Sequence, residues 1–129
     1  MSDADDIESI RERKKEELAN RVATPDEPVH VEDESHLREL VEEHEVLLVD
    51  FYADWCGPCQ MLGPTVATIA ADTGAAVAKV DIDEHEAIAR EYQVQGVPTL
   101  YLFVDREPEE QLVGVQDEGT LRDVIGRYL

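Results

Sequence analysis

The chain has 129 residues, 43% of them hydrophobic, which fits one domain with one ordinary core and leaves little room for a second. Its 31 Asp and Glu against 11 Lys and Arg give a formal net charge of −20, which argues against nucleic acid or an anionic membrane as a partner. No apolar run approaches the ~18 residues of a transmembrane helix, and the acidic N-terminus does not resemble a signal peptide, so we expect a cytoplasmic protein.

Residues 1–28 differ in composition from the rest of the chain. Residues 6–22 are rich in Glu, Arg and Lys, with oppositely charged pairs at i,i+4 spacing that favour a solvated helix. Residues 24–28 contain two prolines, which break any helix and are typical of a linker. We expect a charged extension over residues 1–28, followed by a domain of residues 29–129. The extension is either a frayed segment without chemistry or a docking segment for a partner.

From residue 29 onwards, short apolar segments alternate with helical patterns. Residues 46–52 are an almost continuous apolar run, typical of a central strand that is buried on both faces of a sheet. Apolar residues near the end of the chain recur at helical spacing and predict a last helix. The full order is βαβαβαββα, which predicts an α/β fold with parallel strands, crossover helices and a final hairpin. The predicted strands are residues 29–31, 46–52, 77–82, 99–104 and 110–113.

Helix ends and turns carry further expectations. Asp33 or Ser35 is expected to cap the first helix of the domain. His44, in the last turn of that helix, is expected to be a positive group at the helix C-terminus. Pro64 lies inside the second helix and should kink it. A turn is expected over residues 105–108, which lack the Asn-Gly pair that is usual in tight hairpins.

Two cysteines follow the apolar run directly and open the next helix. Cys56 and Cys59 stand at i and i+3, so they share one helix face and are close enough to form a disulfide. Unpaired backbone N–H groups and the positive end of the helix dipole stabilise a thiolate there. A thiolate at Cys56 is a nucleophile for disulfide exchange near neutral pH. Pro58 stiffens the first helical turn, and Trp55 supplies a flat apolar surface beside the sulfur.

Zinc binding is the alternative use of such a cysteine pair. A closed zinc site needs four ligands, whereas this chain has two Cys, and its four His are not at metal-ligand spacing. Structural disulfides are rare in the cytoplasm. The pair is therefore assigned to redox chemistry, and we expect no metal.

Three more residues depart from the pattern around them. Asp50 lies within the apolar run, where a buried carboxylate is costly unless it is paired or protonated. Burial would raise its pKa and let it accept a proton near pH 7, whereas the alternative is a side chain that points outward at the strand's end. Lys79, in the middle of the next strand, is placed to lie near Asp50 across the sheet. Pro98 starts a strand and is either a cis proline or part of an ordinary trans turn.

Together, these residues resemble the thioredoxin family over about residues 29–129. The resemblance implies the thioredoxin fold, a central mixed β-sheet flanked by helices, with the cysteines at the end of a buried strand. Two positions depart from the family's usual pattern: Tyr52 replaces a common second Trp, and Gln60 replaces a Lys and so removes a positive charge near Cys56. The resemblance rests on four motifs, Val49-Asp50-Phe51-Tyr52-Ala53-Asp54-Trp55-Cys56-Gly57-Pro58-Cys59, Ala78-Lys79-Val80-Asp81-Ile82-Asp83, Val97-Pro98-Thr99-Leu100 and Val113-Gly114.

The resemblance also implies roles for individual residues. Cys56 attacks a substrate disulfide, and Cys59 resolves the mixed disulfide that results. Asp50 assists proton transfer at Cys59, and Lys79 neighbours that acid. The dipeptide Gly57-Pro58 between the cysteines suits a reductant. The expected border of the substrate groove consists of Trp55, Gly96, Val97, the cis-proline Pro98 and Gly114.

The activity implied by the resemblance is that of a cytoplasmic protein-disulfide reductase in redox homeostasis, with no bound cofactor. Its partners would be a thioredoxin reductase, which supplies electrons, and disulfide-containing target proteins. One alternative keeps the fold and reverses the electron flow, as in an oxidant or isomerase. Another is a binding subunit in which the cysteines are dispensable.

The acidic composition bears on the solvent as well as on partners. Like charges at this density repel one another, and molar salt shortens that repulsion to roughly 3 Å. Lys occurs only at Lys14, Lys15 and Lys79, and the other cations are Arg. The composition favours a protein from a salt-accumulating halophile, and a merely acidic protein is the alternative.

Overall fold

The computed structural model describes residues 24–129. The helix expected within residues 6–22 lies outside this range. Within it, helices and strands follow the predicted order. Their bounds are β1 (Val29–His30), α1 (Glu34–Glu43), β2 (Val46–Tyr52), α2 (Gly57–Asp72), β3 (Ala76–Asp81), α3 (Glu86–Glu91), β4 (Thr99–Val104), β5 (Glu107–Val113) and α4 (Glu118–Gly126).

The strands form one mixed sheet in the order β1-β3-β2-β4-β5. Strand β2 lies at its centre, parallel to β3 and antiparallel to β4. This position explains the apolar run over residues 46–52, because both faces of β2 are covered by helices. Residues Leu47 and Val49 pack in a core with α1 and α3, whereas Val46 and Leu48 pack in a core with α2 and α4.

Three of the four helices within residues 24–129 begin at a side chain that accepts a hydrogen bond from the first turn. Asp33 is the cap of α1, where its carboxylate accepts a hydrogen bond from the His36 N–H at 2.7 Å. Asp117 caps α4 in the same way. Helix α2 differs, because its cap is Cys56. Pro64 lies inside α2, as expected.

The hairpin between β4 and β5 is tighter than predicted. Its turn consists of Asp105 and Arg106, with φ angles of 49° and 74°, so β5 begins at Glu107 rather than at residue 110. Positive φ at both central residues is what a two-residue type I′ turn requires. The prediction of a longer turn was wrong because Pro108 suggested one. Pro108 is tolerated within β5 because this strand lies at the edge of the sheet.

His44 is not the positive group at the helix C-terminus that the sequence suggested. It is the C-terminal cap of α1 and only 7% exposed. Burial lowers the pKa of its imidazole, against the opposing charge of Glu43, so the neutral form is favoured at pH 7. His44 lines a cavity of about 730 Å³, together with Glu42, Glu45 and Arg106, at the end of the sheet where β2 begins.

Among residues 24–129, no helix combines the length and the apolar character needed to cross a membrane.

Candidate active site

The disulfide lies at the N-terminus of α2, just beyond the carboxyl end of β2. Cys56 and Cys59 are bonded to each other, with their Cα atoms 5.2 Å apart. The short turn that leads into the helix is held by a hydrogen bond from the Cys56 N–H to the Ala53 carbonyl, at 3.1 Å. The Cys59 N–H donates to Cys56 Sγ at 3.1 Å. In the reduced protein, the same N–H is placed to stabilise a thiolate at Cys56.

A second backbone segment approaches the disulfide from the side of β4. The Val97–Pro98 peptide bond is cis, and the Val97 carbonyl oxygen lies 3.7 Å from Cys56 Sγ. Val97 also packs against the small cluster formed by both cysteines and Ala53. The Pro98 carbonyl accepts a hydrogen bond from the Gly114 N–H at 2.8 Å.

This bond joins the end of β5 to the segment before β4. Gly114 has a φ angle of 90°, a left-handed conformation that glycine adopts without strain. On the other flank of the segment, the Thr99 hydroxyl donates to the Gly96 carbonyl at 2.6 Å. The backbone beside the sulfur is therefore held from two directions.

Asp50 is buried inside the sheet, at 1% exposure, and does not point outward. Successive side chains of a strand alternate between the faces, so Asp50 shares its face with Val46 and Leu48, which is the face that α2 covers. Neither carboxylate oxygen has a hydrogen-bond partner among the residues that the structure describes. Burial raises the pKa of Asp50 to about 6, although the charge of Lys79 lowers it.

Lys79 is the cation next to this carboxylate. It is paired in register with Asp50 on the neighbouring strand β3. Its ammonium lies 4.5 Å from the centre of the Tyr52 ring, a cation–π contact. The Tyr52 hydroxyl in turn lies 3.5 Å from Nδ1 of His30. Within residues 24–129 no ion pair joins Lys79 to Asp50 at contact distance, so the ammonium lowers the pKa of Asp50 through space.

Trp55 and Gln60 lie on the outer side of the disulfide. Trp55 is 70% exposed, and its indole N–H donates to Asp83 Oδ2 at 2.9 Å. Gln60 donates from Nε2 to the Asp54 carbonyl at 3.0 Å. The sequence places Asp83 within a family motif but does not predict it as a site residue. Its position after β3 was the available signal, because the carboxyl ends of parallel strands meet at one edge of the sheet.

The candidate site residues are thus found in three groups. The disulfide group contains Gly57 and Pro58, which are exposed in the first turn of α2. The buried group behind it holds Asp50 and, half-buried, Lys79. The bordering group divides in two, because Trp55 faces Asp83 whereas Val97, Pro98 and Gly114 approach from the β4 side, with Gly96 exposed next to them.

Metal ligands are not grouped in this part of the molecule. Within residues 24–129, no three His, Cys, Asp or Glu side chains are arranged to hold a metal ion. The chemistry available at the site is that of the two sulfurs, the buried carboxylate and the backbone around them.

Known proteins with the same features are thioredoxins. The thioredoxin family model matches residues 27–127. A thioredoxin from Staphylococcus aureus is 42% identical over 86 residues, which cover 65% of this chain and 83% of that protein. A mutant thioredoxin from Halobacterium salinarum superposes with a TM-score of 0.80 at 54% identity, over 81% of this chain and 93% of the other. The reduced Schistosoma mansoni thioredoxin pre-protein gives a TM-score of 0.73 at 30% identity, over 80% and 99%.

These matches agree with the geometry of the site, from the disulfide at the start of α2 to the mixed sheet that carries it. Members of this family are disulfide-reducing oxidoreductases that carry no cofactor and use a redox-active cysteine pair. The chain belongs to the thioredoxin family.

Proposed function

We propose that this protein reduces disulfides in other proteins by exchange at Cys56 and Cys59. The observation that carries the proposal is the Cys56–Cys59 disulfide at the N-terminus of α2, where the Cys59 N–H points at the Cys56 sulfur. In the reduced protein, the Cys56 thiolate attacks one substrate sulfur and releases the other as a thiol. Cys59 then attacks Cys56 Sγ, which releases the second thiol and forms the Cys56–Cys59 disulfide.

The second step needs an acceptor for the proton of Cys59, and Asp50 is the proposed acceptor. Its burial on the face covered by α2, the helix that carries Cys59, supports this role. With a pKa of about 6, the carboxylate is largely ionised at pH 7 but close enough to neutrality to exchange protons readily. Lys79 is the proposed positioning residue, because its charge keeps the pKa of Asp50 from rising further.

The proposed substrate groove runs between the two bordering groups. Trp55 forms one wall, and the other consists of Gly96, Val97, cis-Pro98 and Gly114. The Val97 carbonyl, 3.7 Å from Cys56 Sγ, is placed to pair with an extended substrate backbone beside the reacting sulfur. Gly57 and Pro58 complete the site between the cysteines and favour the reductant over the oxidant.

A pair of cysteine variants tests the proposed mechanism. Cys59→Ser should accumulate a covalent mixed disulfide with a target protein, because Cys56 attacks and nothing resolves the intermediate. Cys56→Ser should trap none under the same conditions. Mass spectrometry of the adduct identifies the linked residue. Trapping by Cys56→Ser alone, or by neither variant, would contradict the assigned roles.

The proposed partners are a flavin-containing thioredoxin reductase and cytoplasmic proteins with accessible disulfides. Reduction of this protein by a thioredoxin reductase, coupled to the reduction of insulin, tests the first of these partners. The absence of turnover with every such reductase would contradict this part of the proposal.

We also propose that the protein works in the cytoplasm of a halophile. The net charge of −20 and the likeness to the Halobacterium salinarum protein support this. Screening in molar salt should raise the melting temperature strongly relative to low salt. Thermal melts in dilute buffer and in molar KCl measure the difference, and equal stability in both would contradict the proposal.

Residues 1–28 are proposed to be an extension outside the catalytic domain of residues 29–129. The family match begins at residue 27, which supports this division. Deletion of residues 1–27 should leave the reduction of a small disulfide unchanged. A large loss of rate in the deletion variant, with the folded content unchanged by circular dichroism, would show that the extension supports the site.

A further inference from the structure

The segments that build the disulfide end of the molecule carry a single positive side chain. The segments that build the site are residues 49–60, 78–83, 96–100 and 113–115, and Lys79 is the one Lys or Arg in them. Its ammonium lies over the Tyr52 ring and is close enough to Asp50 to lower the pKa of that carboxyl. The ammonium is therefore not presented to a partner. Gln60, the residue after Cys59, is exposed and neutral.

Negative charge, in contrast, is exposed at this end. Asp54, Asp83 and Glu84 are all exposed. The pKa of Tyr52 is raised first by burial and then by the charges of nearby carboxylates, which include Asp54 and Glu84. Asp54 and Glu84 therefore lie within electrostatic range of Tyr52, at the carboxyl end of β2, and Tyr52 packs against the cluster that the two cysteines form with Ala53.

Asp83 is held in a defined position among them. Its Oδ2 accepts the hydrogen bond of the Trp55 indole at 2.9 Å, and Trp55 is adjacent to Cys56. The bond uses one carboxylate oxygen of an exposed residue, and no hydrogen bond within residues 24–129 engages the other, Oδ1. A carboxylate fixed in this way binds a guanidinium or an ammonium with less loss of side-chain entropy than a free one.

Exposed apolar side chains also border the disulfide. Trp55 is exposed on one side, and Val113 and Val115, which flank Gly114, are exposed on the other. Since Gly114 is bonded to Pro98, these valines border the cis-proline segment. A partner that covers this face meets an apolar centre and an acidic margin on the side of Trp55.

We propose that Asp54, Asp83 and Glu84 make this site selective for disulfides flanked by Lys or Arg. The inference rests on the proposed function, since it concerns the substrates of the same exchange reaction. The chemical step is unchanged: the two thiols of Cys56 and Cys59 are oxidised to a disulfide, and the substrate disulfide is reduced to two thiols. The acidic margin acts before that step, in the encounter complex, where its carboxylates favour a cationic group in contact with them and disfavour an anionic one at distances short enough to persist in molar salt.

The test compares the single-turnover rates at which the protein reduces a cationic and an anionic disulfide. Fully reduced protein is mixed with cystamine, a dicationic disulfide, or with dithiodipropionate, a dianionic one, and oxidation is followed by the fluorescence of the single Trp. The ratio of the cystamine rate to the dithiodipropionate rate is divided by the same ratio measured with a small dithiol. This division corrects for the intrinsic reactivity of the two disulfides. We expect the corrected ratio to favour cystamine by about fivefold in ~1 M KCl and to shrink in ~3 M KCl.

Three variants assign the effect. Asp83→Asn keeps an acceptor for the Trp55 bond and removes the charge, so it should reduce the ratio, and the triple variant with Asp54→Asn and Glu84→Gln should bring it near one. Gln60→Lys should reduce it as well. Asp105→Asn is the matched control, because it removes the same charge at the opposite end of the sheet and should leave the ratio unchanged.

The outcomes separate the two proposals. If neither disulfide is reduced, the proposed function fails. If both are reduced with a corrected ratio near one, or if the triple variant keeps the wild-type ratio, only the charge selectivity fails.

Discussion

The two ends of the central strand β2 each hold a buried titratable group, and the comparison shows what burial alone does and does not provide. His44 lies just before β2 and Asp50 near its carboxyl end, at 7% and 1% exposure. Burial favours the neutral form at both, since it lowers the pKa of His44 and raises that of Asp50. Only Asp50 lies on the sheet face that is covered by α2, the helix that starts at the disulfide.

The backbone also has different roles at the two ends of β2. At the disulfide end, the Cys59 N–H is directed at the Cys56 sulfur. At the other end, the chain turns through Asp105 and Arg106, both in the left-handed region, next to the cavity that His44 lines. A perturbed pKa therefore does not identify an active site by itself. It becomes informative where a reactive group lies on the same face of the sheet.

Asp50→Asn should have the largest effect of the changes that probe this comparison. Because Asp50 has a folded pKa of about 6 and an unfolded one of 3.8, the wild type loses stability as the pH rises between these values. The amide lacks this loss, so the variant should gain about 3 kcal/mol relative to the wild type at pH 7 and nothing below about pH 4. Urea unfolding at several pH values measures the difference.

The same variant should resolve mixed disulfides about 100-fold more slowly at pH 7, because an amide cannot accept the Cys59 proton. The wild-type rate should fall as the pH drops through about 6. Asp54→Asn is the matched control, an exposed acid near the site, and should show neither effect. An unchanged resolution rate in Asp50→Asn across pH 6 to 8 would refute the role of Asp50.

Arg106→Gly should stabilise the opposite end of the molecule. Arg106 has a φ angle of 74°, which costs a residue with a side chain roughly 1 kcal/mol and glycine almost nothing. The change turns the hairpin into Asp-Gly, a favoured type I′ sequence. Thermal melts should show the gain, while the redox rates stay at the wild-type value. A loss of stability would argue that the cavity contacts of Arg106 outweigh its strained backbone.

Lys79→Met should shift the pH dependence of the resolution rate at the disulfide end. The charge of Lys79 lowers the pKa of Asp50, so its removal should shift the midpoint of the pH–rate profile upward from about 6. The loss of the contact with Tyr52 should cost about 0.5 kcal/mol of stability. Lys79→Arg, which keeps the charge, should leave the midpoint near its wild-type value. A midpoint that is equal in both variants would show that the charge is not felt at Asp50.

His44→Gln should have the smallest effect and none on redox chemistry. The folded pKa of His44 lies below 6.5, so the wild type loses stability as the pH falls through 6.5, and the variant should lack this loss. Unfolding free energies at pH 7.5 and pH 5.5 compare the two proteins. A change in the single-turnover rate of disulfide reduction by His44→Gln would contradict the distinction between the two ends of β2.

Much of this architecture was predictable because the signals were local. The bounds of β2 and β4 follow from apolar runs and turn residues, and the cap at Asp33 follows from side-chain chemistry. The positions of the disulfide and of buried Asp50 were predictable for a related reason: a cysteine pair at a helix start and an acid in an apolar strand are each anomalies that the sequence displays directly.

The errors concern features that depend on tertiary context. Pro108 suggested a turn, but edge position lets β5 include it. His44 was assigned a charge from its place on a helix, whereas its burial lowers the pKa and favours the neutral form. Asp83 was missed as a site residue because its contact with Trp55 joins segments 28 residues apart, which only the parallel pairing of β2 and β3 brings together.

The most direct test of the account is a redox titration of Cys56 and Cys59 against a defined thiol–disulfide buffer in molar salt. A reductase should show a reversible two-electron couple well below about −200 mV, the poise of oxidising compartments. A potential near about −120 mV, where strong oxidants lie, would contradict the proposed direction of electron flow, and the absence of any reversible couple would contradict a redox role for the cysteines.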